Sequence, residues 1–221
     1  INKLIASDYK TKEVVAVKST KNEENSNTSK KTSINKNEND SAADKAIAKT
    51  KQVALTFDDG PDPEVTTAIL ATLEKYDAKA TFFMLGSRVE FYPEIAKSVG
   101  EAGHELGNHT WNHPDLTKAS TKKVNTEIAN TSAIIKDVTG IDVTVFRPPY
   151  GAANDVVRAQ TDLPSILCDV DTLDWKHRNA NELVKIVKSN TKDGSIILMH
   201  DIHQSTADGL DAVLAYLKSE G

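Results

Sequence analysis

A parallel α/β domain, its sheet either closed into a barrel or doubly wound, is the architecture expected of this 221-residue chain. Two observations point to it. From Gln52 onward, short apolar runs alternate with stretches of helical period, the pattern of repeated strand–helix units. In addition, five small clusters of ionisable residues each follow directly after an apolar run. Parallel strands all end on one face, so these clusters would converge there.

The apolar runs expected to be strands are residues 53–57, 81–85, 104–107, 143–146, 165–170 and 195–199. Helical periods lie between them at 64–76, 92–102, 120–138, 154–160 and 181–189, and a last helix is expected over 209–219. Gly103, Gly140 and Gly194 fall at helix-to-strand turns, where a left-handed backbone suits glycine. Six strands are too few for an eight-stranded barrel. The chain also stops after a helix, where one more strand is expected. Either the last strand lies beyond this C-terminus or the barrel is incomplete.

Upstream of this domain the composition changes. Residues 18–50 are rich in Lys, Asn, Ser, Glu and Thr and almost free of large apolar side chains. Such a segment buries too little surface to offset its ordering entropy, so a polar, disordered linker is expected. Residues 1–17 contain Glu13-Val14-Val15-Ala16-Val17, which reads equally as the remnant of an upstream domain or as a short apolar tail. The first residue is Ile1 rather than Met, as in a fragment.

Charge narrows the partners. Residues 1–50 hold 10 lysines against 7 acids, whereas the rest holds 17 basic against 25 acidic residues, a net of −8. A domain so acidic is a poor ligand for nucleic acid, whose binding rests on neutralising phosphates. No run approaches the roughly 20 apolar residues needed to span a bilayer, so no membrane insertion by this segment is expected. The single cysteine, Cys168, excludes an intrachain disulfide framework and a Cys-rich zinc site.

Each charged cluster has a bland reading beside its chemical one. Asp58-Asp59-Gly60-Pro61 is made of turn formers and could be a solvated turn. Two adjacent, partly buried carboxylates repel, however, and a divalent cation taking one of them as ligand resolves the conflict. His109-Thr110-Trp111-Asn112-His113 could hold two polar loop histidines. Its spacing also suits two ligands on one metal, and Pro114 biases it towards a loop. With Asp59 these make a two-histidine, one-carboxylate set that suits zinc, iron or cobalt alike. In Arg147-Pro148-Pro149-Tyr150-Gly151 the prolines stiffen the backbone behind a guanidinium able to clamp a carboxylate. Asp171-Thr172-Leu173-Asp174-Trp175 follows, with Trp175 otherwise an ordinary core or rim aromatic. His200, at the end of the last run, has an unperturbed pKa near 6.5 that suits proton donation at neutral pH. Asp201 and His203 either support it from behind or are solvated, and His104 is taken as structural.

Together, in this order over about residues 51–221, these five elements resemble the polysaccharide deacetylases of carbohydrate esterase family 4, the NodB-homology domain. The matching stretches are Thr56-Phe57-Asp58-Asp59-Gly60-Pro61, His109 to His113, Arg147 to Gly151, Asp171 to Trp175 and Leu198-Met199-His200. The resemblance implies a distorted, incomplete (β/α) barrel of about six to seven parallel strands. It also implies Asp58 as catalytic base, Asp59, His109 and His113 as metal ligands, and His200 as general acid. Arg147 is then expected to orient Asp58, and the Tyr150 backbone N–H to help hold an oxyanion. Trp175 and Leu198 would line a slot for the acetyl methyl. Asp174 would tune a catalytic partner, either Arg147 or His200.

The function so implied is metal-dependent hydrolysis of N-acetyl groups from N-acetylglucosamine residues of a polysaccharide, with peptidoglycan favoured by the linker. One divalent ion is expected, zinc first, with cobalt or another divalent ion as substitutes. The chain is expected to act as a monomer at the bacterial cell surface. Two alternatives stay open: an O-acetyl esterase on xylan or another acetylated glycan, and a non-catalytic wall-binding module. An iron-dependent oxygenase shares the ligand set, but the sequence has no motif for its cosubstrate.

Overall fold

The structure, a computed structural model, describes residues 51–221. The expected upstream remnant at 1–17 and the linker over 18–50 lie outside the described residues. Six strands form one parallel sheet: β1 (Ala54–Asp58), β2 (Thr81–Met84), β3 (Glu105–Asn108), β4 (Val145–Phe146), β5 (Val170–Asp171) and β6 (Ile196–His200). Their order is β4-β3-β2-β1-β6-β5, so the strand with the Asp-Asp turn is central. Parallel strands are covered on both faces and therefore read as unbroken apolar runs. In β1, accordingly, Leu55, Thr56, Phe57 and Asp58 are all buried.

Among the described residues, eight α-helices accompany the sheet: α1 (Val65–Lys75), α2 (Gly86–Phe91), α3 (Pro93–Glu101), α4 (Thr121–Thr139), α5 (Asp155–Arg158), α6 (Asp174–His177), α7 (Ala180–Asn190) and α8 (Gln204–Ser219). Apolar residues of α1, α2, α3, α4, α7 and α8 meet the strand side chains in one main core, where the rings of Phe57 and Phe82 stack 5.1 Å apart, and Val157 of α5 packs in a smaller cluster with Leu116, Val124, Ile128 and Phe146. Each such buried side chain stabilises the fold by about 1.5–3 kcal/mol. The ends of α4 show local sequence setting its length. Ser120 caps its start by accepting the Lys123 N–H, and Gly140 ends it with φ 74°. Gly103 and Gly194 also take left-handed φ values, 75° and 85°.

Three expectations need correction. The run over 165–170 is not one strand. Its first part joins the β4 edge, where the Phe146 N–H donates to Pro164 O (3.0 Å) and the Ile166 N–H donates to Phe146 O (2.8 Å). Its end becomes β5 and pairs with β6. This segment therefore spans both edges of a curled sheet without a closing ladder, an incomplete barrel rather than a closed one. Second, α8 starts at Gln204 rather than Gly209. The glycine looks like a helix boundary but is interior, and a Cβ there would lie 3.2 Å from Ala180 O. It is the small residue that lets α8 pack closely on α7. Third, α2 and α6 were not expected, because helices of six and four residues carry too few turns to show a period.

Candidate active site

The strand ends deliver the charged clusters to one edge of the sheet. In register, Asp58 of β1 lies level with His200 of β6 on one side and Phe83 of β2 on the other. Asp58, Asp59, His109, His113, Arg147, Tyr150, Trp175, Leu198 and His200 all line one cleft of about 590 Å³. Asp174 sits buried behind His200, outside the lining.

Asp59, His109 and His113 converge, their candidate ligand atoms all within 4.8 Å of one another. Asp59 Oδ1 lies 3.5 Å from His109 Nε2 and 3.6 Å from His113 Nε2. That oxygen is buried with no hydrogen-bond partner among the described residues. A buried carboxylate oxygen without a donor is costly, so the arrangement calls for a cation. His109 fits the same reading. Its Nδ1 lies 2.7 Å from the Arg147 carbonyl, which can only accept, so the proton sits on Nδ1 and the Nε2 lone pair faces Asp59. Burial also lowers the His109 pKa to about 3, which keeps the ring neutral, as a ligand must be. The donors present thus fit a divalent ion. Backbone conformation brings them together: Asp59 (φ 75°), Thr110 (φ 72°) and His113 (φ 57°) are all left-handed, which turns each loop sharply into the cleft.

Asp58 is a separate device. Its buried Oδ1 accepts from Arg147 Nη1 at 2.7 Å, while its Oδ2 lies 3.7 Å from His109 Nε2. Arg147 is buried and held at each of its three nitrogens. Nη1 also donates to Thr56 Oγ1 (2.8 Å), Nε to Ile166 O (3.0 Å) and Nη2 to Leu167 O (3.3 Å), and the guanidinium lies over the Phe83 ring at 4.1 Å. Burial pushes the Asp58 carboxyl above the usual carboxylate range, partly opposed by Arg147. A carboxylate so placed is a better proton acceptor than an exposed one.

His200 pairs with Asp174, which settles the partner that the sequence left open between His200 and Arg147. Asp174 Oδ1 lies 2.7 Å from His200 Nδ1 and accepts the Trp175 N–H, while Oδ2 accepts the His200 N–H (2.8 Å) and the Thr206 Oγ1–H (2.6 Å). Burial alone would lower the imidazole pKa, but the hydrogen bond and charge of Asp174 outweigh it and the pKa is raised. Burial works against the Asp174 charge too, yet its bonds from His200 and Thr206 leave that pKa lowered. Both shifts favour the charged pair, and with Nδ1 engaged Nε2 is the nitrogen left for the cleft that His200 lines.

Around these groups the cleft wall is apolar. Leu198, Leu167, Cys168 and Trp175 line it, and Asp171 accepts the Trp175 indole N–H at 3.5 Å. Tyr150 is 72% exposed, and its ring sits edge-on to His113 with centroids 4.6 Å apart. Its backbone (φ 61°) is left-handed, and its amide N–H donates to no group among the described residues.

Asp201 is not solvated: buried beneath the Asp59 turn, it accepts the Gly60 N–H (3.0 Å) and the Thr66 hydroxyl (2.6 Å), and burial raises its pKa to about 7. His203 is also buried, its Nδ1 against the Arg178 guanidinium rather than in the cleft. His104 packs on Phe82 and meets the Ala80 N–H, a structural position. Thr56 and Thr206 were missed because an isolated threonine carries no signal of a charged partner. Asp201 carried a hint, its place next to His200, but it supports the Asp59 turn rather than His200.

Comparisons with known proteins identify the family. A family model described as polysaccharide deacetylase matches residues 45–163. The peptidoglycan-N-acetylglucosamine deacetylase PgdA of Listeria monocytogenes is 50% identical over 171 residues, covering 77% of this chain and 37% of that protein. The peptidoglycan-N-acetylmuramic acid deacetylase PdaC of Bacillus subtilis is 46% identical over 171 residues, with the same two coverages. This chain therefore spans little more than a third of the length of either relative. The solved structure of PdaC superposes with a TM-score of 0.76 at 45% identity, over 78% of this chain and 86% of that one. A CE4 family pseudoenzyme from Bacillus anthracis superposes with a TM-score of 0.74 at 34% identity, over 78% of this chain and 62% of that one. With a family match over more than half its length and a shared fold at this level of identity, the chain belongs to the polysaccharide deacetylase family.

Proposed function

We propose that this domain hydrolyses the N-acetyl groups of N-acetylglucosamine residues in peptidoglycan, acting as a monomer at the bacterial cell surface. One observation carries the chemistry. The unpartnered buried Asp59 Oδ1 faces two imidazole nitrogens, and beside it Asp58 is tied on its far side to Arg147. Asp59, His109 and His113 would hold one divalent ion, zinc first, which when bound polarises an acetyl carbonyl and lowers the pKa of water.

The rest of the work falls to the chain's own residues. Asp58 takes a proton from the attacking water, and Arg147 fixes its free oxygen towards the cleft. The Tyr150 N–H donates to the oxygen that gains charge, a preorganised interaction of a few kcal/mol. His200, charged through its pair with Asp174, hands a proton to the departing nitrogen. An amine cannot leave as an anion, so this transfer is essential for an amide. Each proton transfer contributes roughly 10²–10⁴-fold. Trp175, Leu198 and Leu167 offer the methyl group an apolar wall.

The names of the two relatives support peptidoglycan and divide over which of its sugars is deacetylated. The pseudoenzyme shows that this fold alone does not guarantee chemistry. A complete base, acid and ligand set favours catalysis here, because binding a glycan requires neither base nor acid. Acetate release from peptidoglycan, chitin oligomers and acetylated xylan, with and without chelator, tests the reading. Release from peptidoglycan that stops on demetallation and returns with zinc is expected. Undiminished release by demetallated protein would overturn the metal role. Release from xylan alone would favour the O-acetyl esterase.

A further inference from the structure

Between the two candidate histidine ligands lies a loop whose shape is set from outside. Among the described residues, every backbone N–H from His109 to His113 has a partner, and four of the five donate to groups outside the loop, in β2, β3 or α4. The His109 N–H donates to Met84 O (2.9 Å), the Thr110 N–H to Asn108 Oδ1 (2.8 Å) and the His113 N–H to Thr110 Oγ1 (3.1 Å). The Trp111 and Asn112 N–H groups both donate to one atom, Glu127 Oε2, at 2.8 Å each.

Glu127 comes from the middle of α4, a 19-residue helix, and is 1% exposed. Its other oxygen, Oε1, holds Lys123 Nζ at 2.6 Å, so both oxygens are occupied and neither is free to ligate a metal. On the opposite side of the loop, the Gly86 and Ser87 N–H groups at the start of α2 donate to Thr110 O and Trp111 O. The Trp111 indole also packs where a Cβ on Gly86 would lie 2.5 Å away. The loop is therefore gripped from α2 through its carbonyls and from α4 through its amides, and Glu127 is the only charged member of the grip. Two left-handed residues, Thr110 and His113, lie within it and would relax if the amides were released.

We propose that Glu127 is a positioning residue that fixes the separation of His109 and His113, whose rings lie 4.9 Å apart. Its carboxylate holds the two intervening amides against α4, so that both Nε2 atoms reach Asp59 together. This rests on reading Asp59, His109 and His113 as the metal ligands. Groups that orient ligands from behind typically change metal affinity about 10–100-fold when removed.

The test is titration of apoprotein with Co(II), following the visible d–d bands and the Kd by chelator competition. Thermal unfolding of the same apoproteins reports folding separately. Wild type should bind one Co(II). Glu127→Ala should bind about 10–100-fold more weakly, with altered bands. Glu127→Gln should fall between, because one amide oxygen can still accept both N–H groups. Lys123→Ala should match wild type, since Lys123 Nζ reaches the far oxygen from a half-exposed side chain. Should Glu127→Ala fail to fold, Glu127→Met, similar in length but without an acceptor for the two amides, takes its place: weakened Co(II) binding beside an unchanged Lys123→Ala supports the proposal, and unchanged binding overturns it. A folded Glu127→Ala with wild-type bands and affinity also overturns it. Absence of Co(II) binding by wild type would instead defeat the ligand assignment itself, and this proposal with it.

Discussion

Replacing Asp174 with Asn changes one atom's chemistry at nearly constant shape, and the structure sets its consequences. Each Asp174 oxygen takes two donors: His200 Nδ1–H and the Trp175 N–H at Oδ1, the His200 N–H and the Thr206 hydroxyl at Oδ2. Asparagine has one accepting oxygen. Whichever way its amide turns, a buried backbone N–H faces an NH2 group, and the imidazolium loses its counter-charge. An unsatisfied buried donor costs about 1–3 kcal/mol, and a charge-assisted hydrogen bond is worth about 1.5–3 kcal/mol. Breaking a buried pair by removing one partner typically costs about 3–5 kcal/mol. A deficit of about 3 kcal/mol is therefore expected, lowering Tm by about 6–12 °C.

The deficit should depend on pH with a definite sign. The raised His200 pKa contributes stability fully present below its unperturbed 6.5 and lost as pH rises through the folded value. The lowered Asp174 pKa contributes stability present above 3.8 and lost as pH falls through its folded value. Wild type and variant should thus differ most at about pH 4–6.5 and less at pH 9, where only the orphaned backbone donor remains. In acetate release, kcat/KM should fall roughly 10²–10⁴-fold at neutral pH. Its alkaline limb should also move to lower pH, because nothing then holds the imidazole charged. An equal stability deficit at pH 6 and pH 9, with an unmoved alkaline limb, would refute the ion-pair account.

Other perturbations separate the remaining roles. Asp58→Asn should keep its metal in equilibrium dialysis yet lose about 10²–10⁴-fold in turnover, whereas His109→Ala should lose metal and turnover together. Gly60→Ala would place a Cβ 2.0–2.4 Å from the Asp201 carboxylate, which cannot retreat because the Thr66 hydroxyl holds it. It should cost about 1–3 kcal/mol in urea unfolding and weaken metal binding by displacing the adjacent Asp59. Unchanged stability and metal affinity in that variant would show that the turn is not fixed by Asp201.

What the sequence could and could not show divides along physical lines. The strand ends were legible because a parallel strand buried on both faces is an unbroken apolar run, and its polar successor must lie at the sheet edge. Partners were not legible, because hydrogen bonds between residues 89 or 32 positions apart, as in Arg147–Asp58 and Thr206–Asp174, leave no local pattern. Glu127 is the extreme case. Amid Lys122, Lys123, Asn125 and Thr126 it reads as part of a solvated helix face, and only the packing of α4 against the histidine loop buries it. The 165–170 run misled for a related reason: apolar content reports burial, and here burial is shared between two sheet edges rather than provided by one ladder.

The positions of backbone strain support a site built at some expense to the fold. Among the described residues, seven non-glycine residues have positive φ: Asp59, Asp77, Thr110, His113, Tyr150, Leu173 and Arg178. Only Asp77, in the turn after α1, lies away from the site and its supports. Asp59, Thr110, His113 and Tyr150 turn the ligand and cleft loops inward, while Leu173 and Arg178 flank the short helix that carries Asp174 and Trp175. Each such residue costs of order 1–3 kcal/mol and persists only where its surroundings over-determine it. Here those surroundings are buried carboxylates: Asp201 under the Asp59 turn, Glu127 behind the histidine loop, and Asp174 at the start of its own helix. A buried carboxylate accepting backbone amides is worth its desolvation only while the loop keeps one shape. The acids that never touch substrate and the left-handed residues that face it are therefore two halves of one arrangement, and losing either should release the other.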